Sequence, residues 1–146
     1  MSSGSAMILT RGVVDASVLV KMFLPEDDSD VATGLLRDLE IRAVPELALA
    51  ECANIFWTWV RRGRLSRELA WQCFDDLRAL PLQVWSMEDV LHDALSLAFE
   101  HDVTVYDATY VALARALALP FITADAALVR KLGGPNAELV LLGDLA

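Results

Sequence analysis

The chain has few of the residue patterns on which several common functions depend. Its two cysteines, Cys52 and Cys73, form no CxxC pair, and its two histidines, His92 and His101, are isolated in the sequence. Neither a zinc site of Cys and His ligands nor a histidine catalytic pair is therefore predicted. No apolar run reaches the roughly 18 residues that a membrane-spanning helix needs. There is also no glycine-rich phosphate loop and no Ser-His-Asp set.

Basic residues are also scarce, since 12 Lys and Arg stand against 21 Asp and Glu, for a net charge of −9. Proteins that bind nucleic acids through general electrostatics are usually basic, so the charge argues against that class. It still allows a nuclease that reaches phosphate through a bound metal ion, and it suits a basic partner segment. The only basic cluster, Arg61-Arg62-Gly63-Arg64, ends a predicted helix, where it complements the helix dipole or guides RNA.

Length and hydrophobicity predict a single domain with a substantial core. The chain has 146 residues, of which 55% are hydrophobic, and this excess favours an apolar surface covered by a partner or a second copy. Residues 1–7 are predicted to be a flexible tail or an expression remnant, with Met7 a plausible native start, and residues 8–146 to form the domain. Cys52 and Cys73 are predicted to be buried, free thiols of a cytoplasmic protein.

Short apolar stretches alternate with helical patterns along the chain. Strands are predicted over residues 8–14, 41–44, 82–85, 120–123 and 138–142. Helices are expected between them, with Ser17 capping the first, Pro45 opening the third in its first turn and Gly63 closing that helix. Strands that alternate with amphipathic helices predict an α/β fold whose parallel sheet is covered by helices on both faces.

Four acidic residues stand out because each interrupts an apolar context. Asp15 directly follows the first predicted strand, Asp125 lies just beyond the fourth, and Asp107 begins a helix after a short apolar approach. Ligands bind to open α/β sheets at the carboxyl ends of the strands, so these three acids are expected at one edge of the sheet. Glu51 lies inside a helix, on a largely core-facing stripe where a lone carboxylate is costly and a cation would compensate it.

Converging carboxylates favour a hard divalent cation. Without one they would repel each other, and some would stay protonated. Ligation by oxygen alone predicts Mg²⁺ or Mn²⁺, which can activate water and stabilise the charge that develops on a phosphate. Ser17 and Thr123 lie two residues from Asp15 and Asp125, and their hydroxyls can orient those carboxylates or a metal-bound water.

Each acid also has a purely structural interpretation. Asp125 can cap the helix that it precedes, and Asp107 can be a first-turn acid that the helix dipole favours. Glu51 can pair with an arginine. Asp15 is harder to explain without a ligand, because an apolar strand has no use for its charge. The set of four is therefore more specific than any single member.

Taken in order, these residues resemble the motifs of the PIN-domain nucleases, and most closely those of the VapC-like toxins of type II toxin–antitoxin modules. Val14-Asp15-Ala16-Ser17-Val18 is similar to the first motif, and Leu49-Ala50-Glu51 followed by Asn54 to the second. The third is matched by Tyr106-Asp107-Ala108 with Tyr110-Val111-Ala112-Leu113-Ala114, and the fourth by Phe121-Ile122-Thr123-Ala124-Asp125 with Leu128. The resemblance spans residues 8–142, and none of the four acids departs from it.

The resemblance implies a three-layer α/β/α sandwich with a central parallel sheet, and a Mg²⁺- or Mn²⁺-dependent endoribonuclease activity. It also implies a homodimer inhibited by a small antitoxin, which typically drapes an apolar segment over the toxin and can place a basic side chain near the acids. We expect Asp15 and Asp107 to bind the metal directly, with the other two acids completing the site. The family's acidic positions fall on Asp15, Glu51, Asp107 and Asp125, and its supporting polar positions on Ser17 and Thr123.

Two other interpretations remain open. A phosphatase with an aspartyl nucleophile also places Asp at the end of its first strand, but it generally needs a second Asp where this chain has Ser17. A PIN-like domain without catalysis would act only through its partner, and the intact acids argue against it. The adjacent Phe56 and Trp57 cannot both face the same core, so their helix forms a partner or dimer surface or packs against the next helix.

Overall fold

A parallel sheet of five strands forms the centre of the fold. The computed structural model describes residues 9–146, so the predicted tail over residues 1–7 and the first residue of the first predicted strand lie outside the described residues. The strands are β1 (Arg11–Val14), β2 (Ile41–Pro45), β3 (Gln83–Trp85), β4 (Phe121–Thr123) and β5 (Leu139–Leu141). They pair in the order β3-β2-β1-β4-β5, and every pairing is parallel.

Helices cover both faces of this sheet, which confirms the predicted α/β/α sandwich. None of the helices within residues 9–146 is both long and apolar enough to cross a membrane. Short 3₁₀ turns follow or precede the helices at Val20–Met22, Glu88–Val90 and Leu142–Leu145. The α-helices are α1 (Ala16–Leu19), α2 (Ser29–Asp38), α3 (Leu47–Arg61), α4 (Arg67–Ala79), α5 (Leu91–His101), α6 (Val105–Leu117) and α7 (Ala126–Lys131).

Strand β1 is the central strand, and its position sets the location of the site. Val13 and Val14 have no exposed surface, as expected for a strand buried on both faces. On one side β1 pairs with β2, which follows it in the chain, and on the other with β4, where Val14 is in register with Ile122. The direction of the chain across the sheet therefore reverses between β1 and β4. A crevice at such a point, outside the carboxyl ends of the strands, is where open α/β sheets bind ligands.

Two predicted helix starts were wrong. Helix α1 begins at Ala16 with Asp15 at its N-cap, so Ser17 lies inside the helix, and its hydroxyl is directed to the Asp15 carboxylate. Pro45 ends β2 and does not open α3, because the backbone N–H of Glu46 still donates to the carbonyl of Trp85 and extends the pairing of β2 with β3. Helix α3 therefore begins at Leu47, the residue after the one that makes this hydrogen bond. Gly63, at φ +70°, follows the end of α3 as predicted.

Candidate active site

The pairing of β1 with β4 positions Asp15 against two hydroxyl groups. The backbone N–H of Asp15 donates to the carbonyl of Ile122 at 2.9 Å, which brings its side chain beside Thr123 at the end of β4. Thr123 Oγ1 donates to Asp15 Oδ2 at 2.7 Å, and Ser17 Oγ donates to the same oxygen at 2.8 Å. Only 8% of Asp15 is exposed. The carboxylate is therefore held by one hydroxyl from β4 and one from α1.

Glu51 projects from α3 and is held by a tyrosine. Tyr110 Oη donates to Glu51 Oε1 at 2.5 Å, and the backbone N–H of Ala16 donates to Tyr110 Oη at 3.4 Å. The tyrosine is fully buried and stacks on Phe121, with 5.5 Å between ring centroids. Within residues 9–146, Glu51 forms no ion pair with an arginine, so the alternative that an arginine compensates its charge is wrong.

The role of Tyr110 was not predicted from the sequence, although the sequence carried a signal for it. Tyr110 lies three residues after Asp107 on α6, and residues at that spacing lie on the same side of a helix. A tyrosine on a buried helix face needs a partner for its hydroxyl. Glu51, which was predicted to lie on a core-facing stripe of another helix, was a suitable acceptor for the Tyr110 hydroxyl.

Asp107 and Asp125 are placed by the beginnings of their helices. The backbone N–H of Asp107 donates to the Oγ1 of Thr104, the N-cap of α6, at 3.1 Å. Asp125 is the N-cap of α7, and its Oδ1 accepts from the backbone N–H of Leu128 at 3.0 Å. Its own N–H donates to Thr123 Oγ1 at 3.1 Å. The structural interpretation of these acids therefore describes their positions correctly, and it does not prevent a second role as ligands.

All four predicted acids line a single cavity of about 450 Å³ outside the carboxyl ends of β1 and β4. Ser17 lies on its wall, and Thr123 is buried behind Asp15. The remaining wall is largely apolar, apart from Asn54 and the exposed ring of Tyr106. The lining residues are Asp15, Ala16, Ser17, Leu47, Ala50, Glu51, Asn54, Ile55, Tyr106, Asp107 and Asp125.

The environment raises the pKa of three of these carboxyl groups. For Asp15, burial is the largest effect and raises the pKa, while the hydrogen bonds from Thr123 and Ser17 oppose that shift. Burial also raises the pKa of Glu51, with additional repulsion from Asp15 and Asp107 and an opposing hydrogen bond from Tyr110. The pKa of Asp107 is raised by burial and by Asp125. Charging the site costs free energy, which a bound cation would recover.

The donor set fits a hard divalent cation by its chemistry. Four carboxylates offer oxygen ligands only, which is the preference of Mg²⁺ and Mn²⁺. Within residues 9–146, no three Asp, Glu, His or Cys side chains lie close enough together to hold one ion as they are placed. Like charges keep carboxylates apart when no cation lies between them. Binding an ion would therefore require the acids lining the cavity to move closer together.

The remaining chemically reactive side chains lie outside this carboxylate set. Cys52 is a buried free thiol. Burial, together with the charges of Asp15 and Glu51, raises the pKa of this thiol to about 12, so the thiol stays protonated. Cys73 is also a free thiol but is only partly buried, contrary to the prediction. His101 lies 3.8 Å from the carboxylate of Glu100 on the same helix.

The basic cluster at the end of α3 lies in another region. The guanidinium of Arg61 stacks over Trp57 at 5.4 Å and that of Arg64 over Trp59 at 4.0 Å. Neither arginine lines the cavity of the four acids. The cluster therefore belongs to the surface of α3, where it also complements the helix dipole.

Comparison with known proteins agrees with this arrangement. The family model described as the PIN domain matches residues 12–133, a range that includes all four acids. Ribonuclease VapC3 from Pyrobaculum aerophilum is 38% identical over 121 residues, which cover 82% of this chain and 92% of the relative.

Solved structures share the fold over nearly the whole chain. PAE2754 from Pyrobaculum aerophilum is similar with a TM-score of 0.67 and 27% identity, covering 95% of this chain and 98% of that one. A chain in a toxin–antitoxin complex from Klebsiella pneumoniae is similar with a TM-score of 0.59 and 15% identity, covering 90% of this chain and 97% of its own length. At that identity the second likeness is one of fold alone.

Proposed function

The chain belongs to the PIN-domain family, and on that premise we propose that it is a metal-dependent endoribonuclease acting as the toxin of a toxin–antitoxin pair. The observation that carries the proposal is the single cavity shared by Asp15, Glu51, Asp107 and Asp125. A relative at 38% identity that is named a ribonuclease supports RNA as the substrate.

The proposed cofactor is Mg²⁺ or Mn²⁺, held by the four carboxylates. Its support is the donor chemistry of the cavity and the raised pKa values of Asp15, Glu51 and Asp107, which burial causes first and neighbouring carboxylates add to. A bound ion would supply a Lewis acid for the scissile phosphate and lower the pKa of a coordinated water.

The residues of the chain contribute by holding the acids ready before the substrate binds. Thr123 and Ser17 orient Asp15, and Tyr110 orients Glu51, before the substrate binds. An unprotonated acid of the set accepts a proton from the attacking water. The water adds to phosphorus in line with the leaving 3′ oxygen, whose bond to phosphorus breaks and which takes up a proton from solvent. The products carry a 5′-phosphate and a 3′-hydroxyl.

The proposal is tested by cleavage of a labelled, structured RNA pool by the purified protein, in Mn²⁺ and in EDTA. The Asp15→Asn variant should lose at least about a thousandfold of the rate, as expected for about 4 kcal/mol of transition-state stabilisation. Asp75→Asn removes the same charge from the exposed surface of α4 and should cleave normally. Cleavage that persists in EDTA or in Asp15→Asn would contradict the proposed site.

The alternative function is a PIN-like domain that acts only by binding a partner. One observation favours a binding surface of this kind, namely an apolar groove of about 760 Å³ between α3 and α4. A purely binding protein would neither cleave the RNA pool nor respond to Asp15→Asn. The groove is lined by Ala53, Phe56, Trp57, Val60, Arg61, Arg67, Ala70, Trp71 and Phe74.

We propose that this groove receives a segment of the antitoxin. Trp57 and Trp71 are 57% and 68% exposed, so much apolar surface would be buried by an occupant. Arg61 and Arg67 line the same groove, so the groove is locally basic although the whole protein has a net charge of −9. The occupant we infer is an amphipathic segment with acidic residues beside its apolar ones.

Two synthetic peptides that share their apolar residues test this assignment. The one flanked by glutamates should bind the protein, and the one flanked by lysines should bind more weakly. Trp71→Ala should abolish the difference, whereas Leu69→Ala alters an exposed residue of α4 outside the groove and should preserve it. Equal binding of both peptides would contradict the proposed charge of the occupant.

We also propose that the protein is a cytoplasmic homodimer. The dimer is supported by a second exposed apolar stripe, which lies on α5. Its residues Leu91, Leu95 and Phe99 follow each other at four-residue spacing and are 39%, 48% and 80% exposed. Sedimentation should give a dimer for the wild type and a monomer for Phe99→Glu. Leu69→Glu, which changes an exposed leucine of α4, should remain dimeric.

A further inference from the structure

The cleft that holds the four acids continues beyond them. A second cavity of about 360 Å³ adjoins the first, and Asp107 and Asp125 line both. These two carboxylates therefore stand on the divide between the cavities. The second cavity is lined by Asp102, Val103, Thr104, Asp107, Asp125, Ala127, Leu128 and Lys131.

Lys131 gives this second cavity a charge that the first one lacks. Among the described residues that line the two cavities, it is the only one with a cationic side chain. Its Nζ donates to the backbone carbonyl of Asp102 at 2.9 Å and lies 4.0 Å from the Asp102 carboxylate. The field of Lys131 also lowers the pKa of Asp107, against the larger effects of burial and Asp125. The ammonium therefore lies at the cavity that Asp107 and Asp125 also line.

The contacts of Lys131 leave part of its binding capacity unused. An ammonium has three donors, and the carbonyl of Asp102 takes one of them. Its pairing with the Asp102 carboxylate is long and exposed, and such pairs contribute little to stability. Within residues 9–146, no other lysine or arginine lines either cavity.

We propose that the Lys131 cavity binds the phosphate that adjoins the scissile one, so that a single RNA strand crosses the divide formed by Asp107 and Asp125. The inference rests on the proposed nuclease function and assigns a subsite to it. An acidic site repels the substrate backbone, and one fixed cation at its edge offsets that repulsion for the incoming strand. A phosphate with its ribose is the chemical group that this cavity would hold, independent of base sequence.

The subsite is tested by measuring the binding of a short, fluorescein-labelled single-stranded RNA of mixed sequence in the presence of Mg²⁺. All proteins in this experiment are full-length and carry Asp15→Asn, which prevents cleavage. Lys131→Gln keeps a polar side chain with an N–H donor, removes the charge and shortens the side chain by one bond. We expect about a tenfold weaker affinity at low salt, and a slope of log affinity against log salt that is smaller by about 0.7 to 1. Lys131→Arg should restore both.

Arg130→Gln is the matched control, because it removes a neighbouring charge on α7 outside both cavities. If Arg130→Gln lowers the affinity and the salt slope as much as Lys131→Gln does, the effect is one of net charge and the subsite is wrong. Unchanged binding by Lys131→Gln would also overturn it, while cleavage by the wild type would leave the nuclease proposal standing. If the wild-type protein neither binds nor cleaves RNA, both proposals fail together.

Discussion

The four carboxylates of the cavity form two pairs that are held in different ways. Asp15 and Glu51 accept hydrogen bonds from side chains of other elements, namely Thr123 and Ser17 for the first and Tyr110 for the second. For Asp107 and Asp125 the hydrogen bonds at the starts of their own helices involve backbone N–H groups. The first pair depends on the tertiary fold, and the second on local helix geometry.

This difference separates the placement of the acids from their chemistry. A helix start such as that of Asp125 would be built in the same way in a protein with no ligand, because capping needs only one carboxylate oxygen. The hydroxyl of Thr123 is buried and donates to the Asp15 carboxylate, and it also accepts from the backbone N–H of Asp125. Substitutions at a distance should therefore disturb the side chains of the first pair more than those of the second.

The largest effect is expected from paired substitutions of two threonines. Thr123→Val keeps the shape of the side chain but removes a buried donor from Asp15, which raises the pKa of that carboxyl further and should weaken Mn²⁺ binding about 10- to 100-fold. Thr104→Val removes the cap of α6 and a hydrogen bond that lowers the pKa of Asp107, so it should cost about 1 kcal/mol of stability and weaken Mn²⁺ binding less than Thr123→Val does. Calorimetric titration and thermal unfolding measure the two quantities.

A reversal of these results would remove the distinction between the pairs. If Thr104→Val weakened Mn²⁺ binding as much as Thr123→Val, the local placement of Asp107 would matter as much as the hydroxyl network around Asp15. Circular dichroism would establish that both variants keep the fold before their affinities are compared.

A smaller effect is expected when Tyr110 is replaced by phenylalanine. Tyr110→Phe preserves the ring that stacks on Phe121 and removes only the hydroxyl that holds Glu51. Mn²⁺ affinity should fall about tenfold, and the free energy of unfolding by about 1 kcal/mol or less, since Glu51 is not fully buried. Tyr106→Phe, which removes an exposed hydroxyl at the same cavity, should change neither. Equal losses in both variants would contradict the positioning role of Tyr110.

The smallest effect is expected in the pH dependence of stability without metal. The pKa values of Asp15, Glu51 and Asp107 are raised by burial, so the folded protein binds more protons than the unfolded chain at pH values above their ordinary 3.8 and 4.5. The contribution of these groups to the free energy of unfolding therefore falls as pH rises through that window.

Metal should reverse this dependence by compensating the charge. Mn²⁺ at about ten times its Kd adds roughly 1.4 kcal/mol at neutral pH, or a few degrees in Tm, and less where the acids are protonated. Thermal unfolding at two pH values, with and without Mn²⁺, measures this difference. A stabilisation by Mn²⁺ that is equal at both pH values would show that the ion binds elsewhere.

The sequence was sufficient for the fold class and for the edge of the sheet at which the acids gather. Asp15 and Asp125 each follow an apolar strand, and parallel strands present their carboxyl ends at the same edge. The order of the strands was not predictable in this way, because the pairing of β1 with β4 depends on contacts between distant parts of the chain. That pairing is what brings Thr123 to Asp15.

Local signals also competed with each other at particular residues. Pro45 suits the first turn of a helix, but the last bond between β2 and β3 delays the start of α3. Ser17 suits an N-cap, but Asp15 occupies that position and receives the serine hydroxyl. The adjacent Phe56 and Trp57 were expected not to face the same core, and Phe56 is buried while Trp57 is exposed, although both line the groove.

The hydrogen bond between Thr123 and Asp15 joins residues 108 positions apart, and this has a consequence for biosynthesis. A chain leaves the ribosome from its amino end, at about 5–20 residues per second. Asp15 emerges early, but its hydroxyl partner Thr123 follows 108 residues later, and Asp125 follows Thr123. A growing chain thus cannot assemble the carboxylate site until these later residues have also left the ribosome.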